Sequence, residues 1–316
     1  MNLPTPPAAD ATAAALARVT VVVVTYNSAH CVAPLASGLS GLAHLIVVDN
    51  GSADASRIGV QRHLPNAHLL ALPENRGYGV ANNAALALVQ TEFALLLNPD
   101  CVVDASQIAA LVQQADAWPD ATLMVPQLTD AGGRLQVNYS WPRNAWAPRS
   151  GAADGPLNVG YACAAVMLLR MVKLKPLGFF DPLFFLYYED EDLSLRVFQA
   201  RGQILVLPAV RITHLSRGSV RGASRWRAEY WRGFHHAQSK ILFDCKHSGA
   251  QAGHRRQQRE LRRAVLNVAG RVLLLSPRHL ARAWGRLQGL RRLDPAAVAD
   301  QRRAAATTPD AGQDLA

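Results

Sequence analysis

The sequence predicts an α/β fold: a mostly parallel central sheet with flanking helices, followed by a C-terminal helical extension. Three observations carry that expectation. Half of the 316 residues are hydrophobic, enough for a chain of this length to bury a substantial core. From Val19 to Val125, short apolar, β-branched runs alternate with stretches long enough for helices, the pattern of strands buried on both faces and joined by crossovers. Beyond Ser224 the apolar residues take up helical spacing,.

Taken in order, residues 1–17 are rich in Ala and Pro without a strong period and read as a flexible N-terminal arm. Strands are expected at Val19–Val24, Leu45–Val48, His68–Leu72, Phe93–Leu97 and Thr122–Val125,. Each of the first four is followed by polar or turn-forming residues: Thr25-Tyr26-Asn27-Ser28, Asp49-Asn50-Gly51-Ser52, Glu74-Asn75-Arg76-Gly77-Tyr78-Gly79 and Asn98-Pro99-Asp100. Asx and Gly residues suit βα turns and N-caps on conformational grounds alone, which explains any single turn. Four of them at the edge where such sheets collect ligands form a set. That set suits a nucleotide: Asp49 can accept from a base or ribose, Asn75 and Asn83 can hydrogen-bond, and Gly77 and Gly79 allow close backbone approach.

Several classes are disfavoured. The Gly-Tyr-Gly at 77–79 lacks the GxGxxG spacing and does not open the first βα turn, which argues against a dinucleotide-binding domain, and there is no Walker A lysine,. A divalent cation is then the expected means of holding phosphate. Cys31, Cys101, Cys163 and Cys245 are scattered and show no zinc-ligand spacing or disulfide framework,. With no secretory leader visible, a reducing cytoplasm is expected. The longest apolar runs fall short of the ~20 residues that span a bilayer.

The segment Tyr187-Tyr188-Glu189-Asp190-Glu191-Asp192 sets four acids beside aromatic neighbours. Crowded carboxylates next to apolar surface hold protons more tightly than solvated ones, which is how a general base is tuned. Alone, the cluster reads equally well as an acidic helix N-terminus followed by Leu193, Val197 and Phe198 as an apolar face.

Motif order decides between these readings. Val22-Val23-Val24-Thr25-Tyr26-Asn27, Ile46-Val47-Val48-Asp49-Asn50-Gly51-Ser52, Asn75-Arg76-Gly77-Tyr78-Gly79-Val80-Ala81-Asn82-Asn83, Leu96-Leu97-Asn98-Pro99-Asp100, and Gly178-Phe179-Phe180-Asp181-Pro182 with the acidic cluster follow one another along the chain. Together they resemble the family-two glycosyltransferases of the GT-A fold, and most of all their rhamnosyltransferase-like branch. The resemblance runs from about Val19 to Ser219, with a weaker echo at Trp231–His247.

The resemblance implies site roles position by position. Asp100 matches the last acid of the family's metal-binding DxD motif, which holds Mg²⁺ or Mn²⁺ against the donor diphosphate, and Asn98 stands where its first Asp would be. Asp49 matches the residue that contacts the donor nucleoside; Thr25, Tyr26, Asn27, Asn75, Gly77 and Asn83 fall on its nucleotide side. Asp190 matches the catalytic base, with Glu189 and Asp192 orienting the site or touching the acceptor. His214 matches a histidine that ligates the metal or contacts the diphosphate, and Arg217 could pair with phosphate oxygens as the leaving group gains charge. Asn158–Ala165 resembles the stretch that borders donor sugar and acceptor, and its apolar part also reads as a buried strand into Leu168. Residues 141–156, aromatic and rich in Pro and Gly, read as a lip over the acceptor site.

Charge is unevenly spread. Between Gln251 and Arg303 lie 13 of the 33 Lys and Arg residues but only three of the 23 acids, leaving 20 of each sign elsewhere. Leu261–Leu275 and His279–Leu290 set Leu and Val on one face and Arg on the other, and Pro277 separates them,. Such helices either pack on the catalytic domain or lie on an anionic membrane. The domain expectation is therefore an arm at 1–17, a catalytic domain at 18–223, a basic amphipathic extension at 224–295 and a disordered tail at 296–316. The expected activity is metal-dependent, inverting transfer of a sugar, L-rhamnose from dTDP-L-rhamnose in the first instance, to a glycan or polyprenyl-linked acceptor in bacterial surface polysaccharide synthesis. The expected location is cytoplasmic, with a peripheral place at the inner face of the membrane. A sugar-phosphate nucleotidyltransferase would want a Gly-rich, Arg/Lys-bearing loop after the first strand, which Thr25-Tyr26-Asn27 does not supply. A nucleic-acid-binding protein using the arginines would leave the acidic cluster without a role, so no nucleic-acid partner is expected.

Overall fold

The apolar runs become strands at the places their pattern marks. A computed structural model describes residues 9–140, 152–216, 225–274 and 277–295. The chain divides into two compact units, Met1–Pro182 with Glu189–Arg221, and Leu183–Tyr188 with Gly222–Ala316.

The first unit opens with helix α1 (Ala9–Leu16), then β1 (Val19–Thr25), α2 (Ala29–Leu39), β2 (Leu45–Asn50), α3 (Ser56–His63), β3 (His68–Leu72), α4 (Tyr78–Leu86) and β4 (Phe93–Leu97). Next come β5 (Cys101–Val102), α5 (Ala105–Asp116), β6 (Ala121–Thr129), β7 (Leu135–Gln136), β8 (Tyr139–Ser140), β9 (Leu157–Asn158), β10 (Tyr161–Ala162) and β11 (Val166–Arg170). Helix α6 (Met171–Leu174), a 3₁₀ turn at Lys175–Leu177, α7 (Glu189–Gln199) and β12 (Gln203–His214) complete it. Helix α5 is closed by a capping box in which the Asp104 carboxylate accepts from the Gln107 backbone and the Gln107 side chain accepts from Asp104 N–H,.

The residues ahead of β1 correct the sequence reading. Ala9–Leu16 are helical, Ala15 is buried in the core, and Gln113 of α5 donates to the Ala11 carbonyl. Alanine is the best helix former and its small side chain lets α1 lie close to its neighbour; the prolines that made the arm look irregular stop at Pro7.

The sheet order is β3-β2-β1-β4-β11-β6-β12-β5. Strands β3, β2, β1 and β4 are mutually parallel, as is the pair β6 and β12. Strand β11 runs antiparallel between β4 and β6, and β5 antiparallel to β12, so the sheet is mixed. Side chains alternate across it: Val21 and Val23 enter one apolar layer, Val22 and Val24 the other,. Burial on both faces explains why β1, β2, β4 and β6 read as continuous apolar runs, while β3 at the edge is only partly buried,.

The second unit holds helices α8 (Arg225–Ser248), α9 (Ala250–Leu273) and α10 (Pro277–Arg292). Its small core is Ala237, Ile241, Ala264, Leu287 and Leu290. Helices α8 and α10 approach closely because Gly285 presents no side chain: a Cβ there would lie 2.0 Å from the Tyr230 carbonyl oxygen. None of the helices among the described residues is long and apolar enough to cross a membrane. The expected lip at 141–156 lies largely, and the expected tail at 296–316 wholly, outside the described residues.

Gly79 in the first turn of α4 positions the site directly. A Cβ built there would meet Phe180 Cβ at 2.8 Å and Glu189 Cβ at 3.6 Å. Gly79→Ala should therefore lower stability by about 1–2 kcal/mol, the overpacking outweighing the gain in helix propensity. Urea unfolding checks this, and a more stable variant would show that the contact yields freely.

Candidate active site

The ends of β1, β2 and β3 form a hydrogen-bonded rim. Asp49, buried at the end of β2, accepts from the Thr25 hydroxyl at 3.3 Å and from Ser52 N–H at 3.2 Å. Asn27 adopts a left-handed φ of 51°; its N–H donates to Ser52 Oγ at 3.0 Å and its Oδ1 accepts from Ala53 N–H at 2.9 Å. Tyr26 lies between them, its N–H donating to Ser28 Oγ at 3.2 Å. Asn50 closes the rim: its Nδ2 donates to Asn75 Oδ1 at 3.0 Å and to the Gly77 carbonyl at 3.2 Å, while its Oδ1 accepts from Arg76 N–H at 2.9 Å. Gly77 takes a φ of 88° and donates to Asn75 Oδ1 at 2.9 Å, which fixes the loop leading into α4. Asn83, expected on the nucleotide side, instead clamps the Phe180 backbone with both ends of its amide, at 2.7 and 3.0 Å.

The second group lies where β4, β5, β11 and β12 meet. Asn98 N–H donates to the Ala165 carbonyl at 2.8 Å. Pairing of His214 with Cys101 in the β12–β5 ladder, and a bond from Leu215 N–H to the Asp100 carbonyl at 3.0 Å, bring the His214 ring beside the Asp100 carboxylate, with Nε2 3.4 Å from Oδ1. Ser216 Oγ sits 3.3 Å from the other ring nitrogen, Nδ1. A proton on Nδ1 shared with that hydroxyl leaves Nε2 free to ligate.

Asp100, Cys101 and His214 together offer ligand atoms within 4.8 Å of one another. Asp100 and His214 fit Mg²⁺ or Mn²⁺, one giving a hard oxygen and the other an imidazole nitrogen. Cys101 fits poorly: burial holds its thiol well above the usual range, and its Sγ–H points to the Ala165 carbonyl at 3.7 Å.

Asp190, in the first turn of α7, is received by the segment just before β11. Its Oδ2 accepts from Tyr161 O–H at 3.2 Å and Ala164 N–H at 3.3 Å, and its Oδ1 accepts from Glu191 N–H at 3.0 Å. The Cys163 thiol donates to it as well. Burial raises the acid's pKa above the usual carboxylate range, and the four donors only partly offset it,. The same burial, with the charge of Asp190, holds Tyr161 and Cys163 in their neutral forms. Glu189 is more deeply buried; burial first, then repulsion from Asp190, lifts it well above the usual range, and its Oε2 has no hydrogen-bond partner among the described residues.

The structure thus gathers Thr25, Asn27, Asp49, Asn75, Gly77, Asn98, Asp100, His214, Glu189 and Asp190 along one edge of the sheet. Asp192 faces away from it: fully buried, it bonds Arg196 at 2.9 Å. Arg196 in turn holds the carbonyls of Leu177, Gly178 and Phe179. Through Arg196, Asp192 braces the loop before α7. Arg217 lies outside the described residues. Asn50 stands in the same strand-end turn as Asp49 and shares its rim. Tyr161 and Cys163 belong to the Asn158–Ala165 stretch expected to border donor sugar and acceptor, and their individual bonds to Asp190 arise from the docking of α7.

Comparison with known proteins bears on the family and the fold. Residues 20–175 match the family described as glycosyl transferase family 2. The chain is 26% identical over 266 residues to the N-acetylglucosaminyl-diphospho-decaprenol L-rhamnosyltransferase of Mycobacterium tuberculosis, covering 72% of this chain and 85% of that protein. It is 25% identical over 207 residues to the low-salt glycan biosynthesis hexosyltransferase Agl10 of Haloferax volcanii, covering 60% of this chain and 66% of that one. Among solved structures, the mannosyltransferase PcManGT from Pyrobaculum calidifontis, in complex with GDP-Man and Mn²⁺, aligns with a TM-score of 0.51 at 16% identity over 92% of this chain and 88% of its own. S. aureus TarS 1-349 aligns with a TM-score of 0.52 at 16% identity over 91% and 92%. The chain belongs to the family 2 glycosyltransferases and has the GT-A fold with added C-terminal helices.

The buried acid pair yields a stability prediction. A carboxyl whose folded pKa is raised stabilises the fold below its unfolded pKa and loses that contribution as pH rises through the folded value. Glu189→Gln removes the penalty, so the variant should melt higher than the wild type at pH 7.5, the gap closing toward pH 4. An unchanged or lower melting temperature at pH 7.5 would contradict the burial of an ionisable Glu189.

Proposed function

We propose that this glycosyltransferase moves L-rhamnose from dTDP-L-rhamnose to a hydroxyl of a polyprenyl-linked glycan, inverting the anomeric configuration. One observation carries the reading: Asp190 and the Asn98–Asp100 turn are bonded to adjacent residues of a single dipeptide, Ala164 and Ala165. That short segment therefore ties the proposed base to the turn that carries the proposed metal-binding acid. The choice of rhamnose and of a lipid-linked acceptor is supported by the M. tuberculosis relative, whose name specifies both.

In this reading the rim at Thr25, Tyr26, Asn27, Asp49, Asn75 and Gly77 receives the nucleoside, with Asp49 accepting from it and Asn50 holding the loop in place. Asp100 and His214 would hold a divalent cation, Mg²⁺ or Mn²⁺, which supplies positive charge to the donor diphosphate. Asp190 takes the proton from the acceptor hydroxyl. The acceptor oxygen bonds to the anomeric carbon on the face opposite the diphosphate, as the bond from that carbon to the phosphate oxygen breaks and the nucleoside diphosphate leaves. Tyr161 O–H and Ala164 N–H aim the Asp190 carboxylate, and its raised pKa makes it a stronger base than a solvated acid. Arg217, close in sequence to His214, would pair with the departing phosphate. The reaction would take place in the cytoplasm, with the basic helices resting on the anionic inner face of the membrane where a polyprenyl-linked acceptor resides.

Asp190→Asn should cut kcat about 10²- to 10⁴-fold while leaving donor KM close to the wild-type value; steady-state assays with dTDP-L-rhamnose measure both, and near-normal turnover would remove Asp190 from the role. Asp100→Ala should abolish the Mn²⁺-dependent part of dTDP binding by calorimetry, and an unchanged metal dependence would exclude Asp100 as a ligand.

A further inference from the structure

The three helices of the second unit line a cavity of about 130 Å³ that is partly open to solvent, several times the roughly 10–15 Å³ that one water needs. Its wall is cationic. Lys240 of α8, Arg263 and Arg271 of α9, and Arg282 and Arg286 of α10 line it, against a single carboxylate, Glu260. Glu260 is already shared between Lys240 at 3.0 Å and Arg263 at 3.2 Å. Arg282 leans toward Glu229 at 3.8 Å. Among the described residues no carboxylate lies within ion-pair distance of Arg271 or Arg286.

The uncompensated charge affects its neighbours. Partial desolvation and the adjacent Arg282 hold the guanidinium of Arg286, an exposed residue, below its ordinary pKa. His236, which also lines the cavity, is pushed down to about 4 by burial and by Arg286, Lys240 and Arg282. A fold that only needed to pack three helices would gain nothing from gathering five cations around a hollow. An anion placed there would relieve their repulsion.

We infer that this cavity binds the phosphate or diphosphate group of an anionic ligand, through Arg271 and Arg286 foremost. Guanidinium groups match phosphate oxygens in geometry as well as charge. An amphiphile fits the surroundings, because Val272, Leu273 and Leu274, the residues directly after Arg271, are 52, 82 and 69% exposed. These apolar side chains would meet the aliphatic part of a lipid whose headgroup the cavity holds.

Two arms test this on the full chain without donor sugar or turnover, so failure here is distinguishable from failure of the sugar-transfer reading. Inorganic pyrophosphate is titrated by calorimetry, and flotation is measured with phosphatidylglycerol vesicles against phosphatidylcholine vesicles. Arg271→Gln and Arg286→Gln are compared with Arg255→Gln and Arg259→Gln, which remove the same charge from α9 away from the cavity, and thermal melting verifies that each variant is folded. The expected result is at least a tenfold loss of pyrophosphate affinity in either cavity variant and little change in the controls. Parallel loss of flotation identifies the ligand as a lipid headgroup, whereas flotation that never exceeds the phosphatidylcholine level identifies a soluble diphosphate. Equal weakening in cavity and control variants, or no pyrophosphate binding at low salt, would overturn the site.

Discussion

Strand β11 runs against β4 in a register that pairs Val166 with Leu97, so the residues entering β11 and those leaving β4 meet at one edge of the sheet. Ala165 gives its carbonyl to Asn98 N–H and to the Cys101 thiol, and Ala164 gives its N–H to Asp190. Had β11 been parallel to β4, its approach segment would lie at the opposite edge, away from the strand ends that hold Asp49 and Asp100. The reversal brings the segment that receives Asp190 to the edge where the turn carrying Asp100 leaves β4. The antiparallel β5–β12 pairing adds His214 to the same edge.

Such an edge is electrostatically costly. Glu189, Asp190 and Asp100 are withdrawn from water around a site proposed to receive a diphosphate, and the fold offsets this in local ways. Asp190 lies at a helix N-terminus, where the backbone dipole favours negative charge, and collects backbone, hydroxyl and thiol donors. Asp192 is neutralised by Arg196, whose remaining hydrogens secure the carbonyls of Leu177, Gly178 and Phe179, while Asn83 separately clamps the Phe180 backbone. Glu189 keeps an oxygen with no hydrogen-bond partner among the described residues, and its placement beside Asp190 favours the protonated form of one of the pair. Strain of this kind concentrates where chemistry is done.

Much of this was legible in the amino-acid sequence. The five apolar runs became β1, β2, β3, β4 and β6, with starts that differ by one residue at most; β1, β2, β4 and β6 are buried throughout, which leaves few alternatives for Val, Ile and Leu, whereas β3 at the sheet edge is only partly buried. The strand-end turns were readable because a polar residue directly after a buried strand has to face an opening. What the residues could not show was direction: Val166–Arg170 reads as a buried strand whichever way it runs. Partnership was hidden for the same reason. Asn83 and Asp192 looked like site residues by type, yet their partners, Phe180 and Arg196, come from chain segments whose approach is a matter of tertiary packing, although Arg196 stands four residues beyond Asp192 at helical spacing. The Ala-rich start was misread because small apolar residues mark a helix as readily as a loose arm.

The most direct test is a crystal structure with Mn²⁺ and a non-transferable dTDP-sugar, using anomalous scattering to locate the metal. The account requires the manganese peak beside Asp100 and His214, with the anomeric carbon lying between that peak and the Asp190 carboxylate. A peak elsewhere, or a sugar whose anomeric carbon faces away from Asp190, would contradict it.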